Sequence, residues 1–139
     1  MYRLLIVDDE PIITNGLYQY FHEQTGLDLE VYRAYSGKEA LELVNRQRVD
    51  IVITDICMPV MDGIQLQGEI YSRWPQCRFI YLTSHGNIEY AQQAIRNGAF
   101  VDFVLKNEEN EVLLEAVRKA IEDLEYTEIK NEKWAEIQQ

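Results

Sequence analysis

The stretch Ile51-Val52-Ile53-Thr54-Asp55, followed by Met58-Pro59 and Asp62-Gly63, decides the fold of this 139-residue chain. Its apolar residues follow one another without alternation, which is typical of a strand covered by helices on both faces. The strand ends in a carboxylate, Asp55, and the chain then turns sharply at residues that favour turns. This combination predicts a polar site at the carboxyl end of a parallel sheet.

The rest of the chain, to about residue 124, repeats this alternation of short apolar runs and helical patterns. The alternation predicts an α/β fold of five βα units wound into a parallel sheet. Pro11 at a first-turn position and Ser36 as a candidate N-cap support two of the helix starts. We predict strands over residues 3–7, 29–35, 51–55, 78–82 and 102–105, and helices over residues 11–24, 37–46, 63–73, 87–97 and from 111 onward.

Composition favours one globular domain, with 47% hydrophobic and 27% charged residues. The net charge of −11, from 24 acidic and 13 basic side chains, repels a nucleic-acid backbone and an anionic membrane. This domain is therefore expected to bind neither nucleic acid nor a membrane surface. We find no apolar run of roughly 20 residues and no signal-peptide pattern, so we expect a cytoplasmic protein. Cys57 and Cys77 lack metal-ligand spacing and are expected to be reduced thiols.

The composition shifts at residue 125 toward charged residues with scattered apolar positions. Ile129, Lys133 and Ile137 share a helix face but do not sustain a heptad. We therefore expect residues 1–124 to form the domain. Residues 125–139 are expected to extend the last helix as a solvated arm or a partner-facing stalk.

Polar residues stand at the ends of four predicted strands: Asp8-Asp9, Asp55, Thr83 and Lys106. In an open parallel sheet such ends meet at the ligand site. Two carboxylates at 4 Å repel by about 4 kcal/mol at an effective dielectric near 20, so gathering three implies a divalent cation. Hard oxygen ligands suit Mg²⁺. An adjacent aspartate can then attack phosphorus, while an ammonium and a hydroxyl orient the phosphoryl oxygens.

Taken singly, each of these residues also has an ordinary structural explanation. Asp8-Asp9 fits a helix cap, Asp55 a turn, Thr83 a loop and Lys106 a strand-end cation that extends into solvent. Five such residues at corresponding ends of four strands favour a functional site.

Together with Met58-Pro59 and Asp62-Gly63, this set resembles the receiver domain of two-component response regulators over residues 1–124. The resemblance implies a doubly wound, five-stranded parallel sheet of order 2-1-3-4-5 flanked by five helices, the flavodoxin-like arrangement. It also implies that Asp55 accepts a phosphoryl group from the phosphohistidine of a cognate sensor histidine kinase.

The family's roles transfer to this chain position by position. Asp9 and Asp55 are expected to bind Mg²⁺ directly, with the backbone carbonyl of Cys57 as a third ligand and Asp8 assisting. Thr83 and Lys106 are expected to hold the phosphoryl group as parts of the catalytic site.

Switching follows from the same resemblance. Thr83 moves toward the phosphoryl group and Phe103 swings inward, so that the face formed by the fourth helix, fifth strand and fifth helix changes partners or forms a homodimer. Cys57 and His85 overhang the site and are expected to modulate phosphoryl hydrolysis. The sequence also fits simpler interpretations, in which Phe103 is an ordinary core residue, Cys57 a surface thiol and His85 a solvated loop residue.

The residue after Lys106 departs from the family, because Asn107 stands where proline is usual, often after a cis bond. A non-proline cis bond costs about 2.5 to 4 kcal/mol, so we expect a trans bond. A trans bond predicts that Lys106 approaches the site less closely than in the family.

The segments Thr54-Asp55-Ile56 and Ile88-Glu89-Tyr90, with the charged tail, look like receivers joined to an AraC-type DNA-binding output domain. Residues 125–139 would then begin a linker, and DNA binding would belong to residues absent here. We expect a signalling switch that catalyses its own phosphorylation and dephosphorylation but has no independent turnover function.

Three other functions fit parts of the sequence. An aspartate-nucleophile phosphohydrolase needs a D-x-D motif, whereas Asp8-Asp9 are adjacent. A flavodoxin-like flavin protein would bring the flavin phosphate against these acids. A metal-independent interaction module on the same fold needs none of the site residues.

Overall fold

A computed structural model of the chain describes residues 1–84 and 101–138. The helix predicted over residues 87–97 lies outside the described residues, and the other predicted elements form. They are β1 (Tyr2–Val7), α1 (Pro11–His22), β2 (Leu29–Ala34), α2 (Gly37–Arg46), β3 (Ile51–Asp55), α3 (Gly63–Arg73), β4 (Arg78–Thr83), β5 (Val101–Leu105) and α4 (Asn110–Gln138).

The five strands form one parallel sheet of order β2-β1-β3-β4-β5, which confirms the predicted order. Strand order reverses between β1 and β3, so the ligand crevice of this topology opens at their carboxyl ends. Val7 pairs with Thr54, and Asp55 pairs with Leu82. This register places Asp8 beside Asp55 and places Thr83 one residue beyond the partner of Asp55.

The sheet is covered on both faces, as the uninterrupted apolar run in β3 predicts. Alternate side chains of each strand point to opposite faces, which gives two separate cores. One core lies against α1 and α4 and includes Leu4, Ile6, Ile51, Ile53, Phe21, Val117 and Ala120. The other lies against α2 and α3 and includes Leu5, Val7, Val52, Phe79, Tyr81, Val44 and Leu66.

Local hydrogen bonds define where two helices begin near the site. Ser36 Oγ accepts a hydrogen bond from the backbone N–H of Glu39 at 3.1 Å, which confirms its predicted capping role. At the start of α3, Asp62 Oδ1 accepts from the backbone N–H of Gln65, and the Gln65 side chain accepts from the Asp62 N–H. This reciprocal capping box fixes the end of the loop that follows Asp55.

The last helix, α4, is 29 residues long and continues past the sheet, as predicted for residues beyond 124. Arg78, at the start of β4, holds the helix where it leaves the body: its Nε donates to Asp123 Oδ2 at 2.7 Å and its Nη2 to Thr127 Oγ1 at 3.0 Å. Beyond that point the large apolar side chains are exposed, namely Ile129, Trp134 and Ile137.

The proposed domain boundary at residue 124 stays a prediction. No helix within residues 1–84 and 101–138 is both long enough and apolar enough to cross a membrane.

Candidate functional site

Three carboxylates meet at the carboxyl ends of β1 and β3. One oxygen from each of Asp8, Asp9 and Asp55 lies within 4.8 Å of the other two. Asp8 and Asp55 are buried, with 0% and 4% of their surface exposed, whereas Asp9 faces solvent. The three predicted acidic residues therefore form one cluster that opens to solvent on the side of Asp9.

Asp8 is held by the loop it belongs to. Its Oδ1 accepts a hydrogen bond from the backbone N–H of Glu10 at 2.9 Å, and its carbonyl oxygen accepts one from Thr14 Oγ1 at 2.6 Å. Glu10 is the residue before α1, and its side chain does not cap that helix. Asp8 thus shapes the loop rather than capping α1, and its Oδ2 is buried without a hydrogen-bond partner among the described residues.

The buried position of Asp8 opposes its negative charge. Its pKa is raised from 3.8 to about 6, chiefly by burial and to a smaller extent by the charges of Asp55 and Asp9. The hydrogen bond from Glu10 and the charge of Lys106 act in the opposite direction without cancelling this effect. A charged Asp8 therefore costs folding free energy unless a further cation binds nearby.

Lys106 supplies a positive charge to this cluster. Its Nζ donates a hydrogen bond to Asp55 Oδ2 at 2.9 Å and lies 3.8 Å from Asp8 Oδ2 and 3.7 Å from Glu10 Oε1. Burial lowers the pKa of Lys106, but the hydrogen bond and charge of Asp55, with the charges of Asp8 and Glu10, outweigh burial and raise it. The ammonium stays charged at neutral pH.

The bond between Lys106 and Asn107 is trans as predicted, since no described peptide bond is cis. The Lys106 ammonium is nevertheless in hydrogen-bond contact with Asp55. The Lys106 N–H donates to the Thr83 carbonyl oxygen at 2.8 Å, which continues the pairing of β4 and β5 beyond the strands. The expectation that Lys106 approaches less closely than in the family stays a prediction.

The two predicted switch residues lie on neighbouring strands. Thr83 ends β4 and is buried, directly after the residue that pairs with Asp55. Phe103 is half-buried on β5, and its ring stacks on Tyr81 with centroids 5.8 Å apart and an interplanar angle of 18°. Thr83 is therefore close to Asp55 in the sheet, and Phe103 contacts the neighbouring strand through Tyr81. The switching roles of both residues stay predictions.

Of the two predicted modulators, Cys57 lies within the described residues. Cys57 is exposed, and its backbone N–H donates to Asp55 Oδ1 at 3.2 Å, so the loop folds back over the carboxylate. His85 lies outside the described residues. The modulating roles of both residues, and the metal-ligand role of the Cys57 carbonyl, stay predictions.

Four further residues help to build the site and were not predicted as site residues: Glu10, Thr14, Gly63 and Tyr81. Glu10 directly follows Asp8-Asp9, and this third consecutive acid was a usable signal. Gly63 was identified only as part of a turn. Thr14 lies one turn into α1 and hydrogen-bonds back to Asp8, which is a local contact. Tyr81 acts through buried contacts with a distant segment, for which the sequence carries no local signal.

The donor set fits a hard divalent cation. Its oxygens come from three carboxylates, which Mg²⁺ prefers over nitrogen or sulfur ligands. Asp8 Oδ2, which accepts no hydrogen bond among the described residues, is buried in the same cluster and could bind a cation. Exposed Asp9 leaves one side accessible to water and a phosphate oxygen, as the open coordination shell of Mg²⁺ requires.

Comparisons with known proteins agree with this geometry. The family model described as the response regulator receiver domain matches residues 4–118. The chain is 32% identical over 138 residues to the uncharacterized transcriptional regulatory protein YesN of Bacillus subtilis (strain 168), covering 99% of this chain and 37% of YesN. It is 37% identical over 135 residues to the transcriptional regulatory protein GlrR of Escherichia coli (strain K12), covering 96% of this chain and 29% of GlrR.

A solved structure of a two component transcriptional regulator AraC from Clostridium phytofermentans ISDg is also similar. It is 27% identical, has a TM-score of 0.78, and covers 88% of this chain and 94% of that chain. The fold, the acidic cluster at the switch point and the match over residues 4–118 agree. This chain belongs to the response regulator receiver domain family.

Proposed function

We propose that this chain is a phosphorylation-dependent signalling receiver, in which Asp55 accepts a phosphoryl group from a histidine kinase in the presence of Mg²⁺. The observation that carries the proposal is the arrangement around Asp55. Its carboxylate lies at the topological switch point, within one cluster with Asp8 and Asp9, and in hydrogen-bond contact with Lys106. A nucleophile, a set of metal ligands and a counter-charge thus converge on one crevice.

The transfer replaces one bond to phosphorus by another. An Asp55 carboxylate oxygen attacks the phosphorus of phosphohistidine, the P–N bond breaks, and the imidazole leaves with the bonding electron pair. Before transfer, Lys106 is hydrogen-bonded to Asp55 Oδ2. After transfer, Lys106 donates a hydrogen bond to one phosphoryl oxygen and the Thr83 hydroxyl donates one to another. Asp9, Asp55 and the Cys57 carbonyl, with Asp8 assisting, would hold Mg²⁺, which would neutralise further phosphoryl charge when bound.

The same residues make the chain a switch rather than an enzyme with independent turnover. Hydrolysis of the aspartyl phosphate restores the starting carboxylate, so phosphorylation and dephosphorylation form a closed cycle on Asp55. The movement of Thr83 and Phe103 biases the protein toward a second state, in which a changed surface favours homodimer formation.

The output of the switch belongs to a longer protein. The chain spans 37% of YesN and 29% of GlrR, both of which carry names of transcriptional regulators. We infer an output domain that binds DNA, of the AraC type, joined through the segment that continues α4. The net charge of −11 on this chain assigns DNA binding to that output domain rather than to the receiver.

Incubation with acetyl phosphate and Mg²⁺ tests the proposal by intact-mass spectrometry. We expect one phosphoryl adduct on the wild type, none on Asp55→Asn, and the wild-type adduct on Asp28→Asn, a control at an exposed aspartate. Adding a chelator should abolish the adduct. An equal adduct on Asp55→Asn, or none on the wild type, contradicts the proposal, and the second result favours the metal-independent interaction module.

Sizing the protein by light scattering, with and without beryllium fluoride and Mg²⁺, tests the dimer separately. A doubling of mass on addition is the expected result. An unchanged mass with a confirmed adduct on Asp55 would retain the phosphoacceptor role and contradict dimer formation.

A further inference from the structure

Tyr81 lies between the predicted switch residues and the loop that carries Asp55. It stands two positions before Thr83 on β4, so both side chains point to the same face of the sheet. Tyr81 is fully buried, pairs in register with Phe103, and stacks against its ring at 5.8 Å. The half-buried Phe103 ring therefore rests on a ring that is itself inaccessible to solvent.

The Tyr81 hydroxyl is tied to the first turns of α3. It contacts Gln67 Oε1 and lies 3.2 Å from the carbonyl oxygen of Gly63, and its single proton is shared between these acceptors. Gln67 is also fully buried. Water therefore does not compete for this hydrogen bond, which fixes one end of the Tyr81 ring to α3.

Gly63 connects that anchor to Asp55. Its backbone N–H donates to the carbonyl oxygen of Ile56 at 2.7 Å. A methyl group added to Gly63 would overlap the Asp55 carbonyl oxygen and lie 3.1 Å from the Tyr81 ring. The backbone of Asp55, the start of α3 and the ring of Tyr81 are thus closely packed around Gly63.

We propose that Tyr81 is a positioning residue that couples the conformation of the Asp55 loop to the position of Phe103. The inference rests on the proposed function, which supplies the phosphoryl group at Asp55. The hydroxyl transmits the position of the α3 start to the Tyr81 ring, and the ring determines where Phe103 packs. This contact chain runs beside Thr83 and uses residues that the roles assigned by resemblance leave out.

Tyr81→Phe tests the proposal because it removes the hydroxyl and keeps the stacked ring. Fluorine NMR of beryllium fluoride with Mg²⁺ reports occupancy at Asp55, and the amide NMR signal of Phe103 reports the response. We expect wild-type occupancy at saturation, with the change in the Phe103 signal reduced at least about twofold. Gln67→Met removes the acceptor from the other side of the hydrogen bond and should give the same reduction.

Tyr20→Phe is the matched control. Tyr20 packs against the core on the other face of the sheet, and its ring lies edge-on against Phe21 at 5.2 Å. The control should keep the full change at Phe103. A full wild-type change in Tyr81→Phe with Asp55 occupied overturns the coupling, even if the variant is less stable. Absence of bound beryllium fluoride on the wild type instead overturns the proposed function, and the coupling with it.

Discussion

Lys106 Nζ lies 2.9 Å from Asp55 Oδ2 although Asn107, rather than proline, follows the lysine. The ammonium is thus already beside the carboxylate that we propose as phosphoacceptor. The Lys106 N–H also donates to the Thr83 carbonyl oxygen at 2.8 Å, which places the Lys106 backbone beside the end of β4. Phosphorylation of Asp55 would exchange one anionic partner of Lys106 for another.

Replacing Lys106 by methionine should destabilise the protein in the absence of Mg²⁺. The change leaves Asp55 buried without its charged hydrogen-bond donor and leaves the neighbouring carboxylates to repel one another. We expect the free energy of unfolding, measured by urea denaturation in a chelator, to fall by about 1 to 3 kcal/mol. Lys119→Met, at an exposed position on α4, is the control, and an equal loss in both variants would contradict the role of Lys106.

Replacing Asp8 by asparagine should stabilise the metal-free protein at neutral pH. Because the folded-state pKa is raised from 3.8 to about 6, the unfavourable charge on Asp8 is absent below about pH 4 and complete above about pH 6. The wild type therefore loses stability through this group as pH rises between these values. We expect the free energy of unfolding of Asp8→Asn at pH 7.5 to exceed that of the wild type by about 1 to 3 kcal/mol.

The pH dependence provides the check on Asp8. The gain from Asp8→Asn should be much smaller at pH 4, since the wild-type carboxyl is then neutral in the folded state and only partly charged in the unfolded state. Asp9→Asn removes an exposed carboxylate from the same cluster and should gain less. An equal gain for Asp8→Asn at both pH values would show that its burial is not the cause.

Replacing Val60 by asparagine should relieve backbone strain in the loop after Asp55. Val60 has φ 69° and a fully exposed side chain, so a β-branched residue occupies the left-handed region without packing in return. Asparagine tolerates this region, and we expect about 1 kcal/mol of additional stability in urea denaturation. Val60→Ala keeps a Cβ at the same φ and should gain less; a larger gain for alanine would contradict the strain.

Replacing Arg78 by methionine should loosen α4 where it leaves the sheet. The change removes hydrogen bonds to Asp123 and Thr127 and leaves both half-buried side chains without this donor. We expect a loss of about 2 kcal/mol, and faster hydrogen exchange in residues 124–130 than in residues 113–120. Asp123→Asn keeps an acceptor and should cost less, whereas uniform exchange along α4 would contradict a local attachment.

The positions of the strands were predictable because they depend on local patterns, whereas their order in the sheet was implied by the family resemblance. The uninterrupted apolar run in β3 correctly predicted coverage on both faces, and Ser36 correctly predicted a helix start. The acidic cluster was predictable because the ends of parallel strands meet at one edge. The direct hydrogen bond from Lys106 to Asp55 was not predictable, because it depends on a contact across 51 residues.

The sequence alone specifies the order of elements, the two-sided core and the polar residues at strand ends. These features follow from the spacing of apolar residues and from the positions of turn residues along the chain. Only the tertiary structure decided that Asp8 is buried with a raised pKa, that Lys106 contacts Asp55, and that Tyr81 connects α3 to Phe103. The physical reason is that distance, burial and dielectric surroundings arise when segments far apart in sequence pack together, and no local pattern records them.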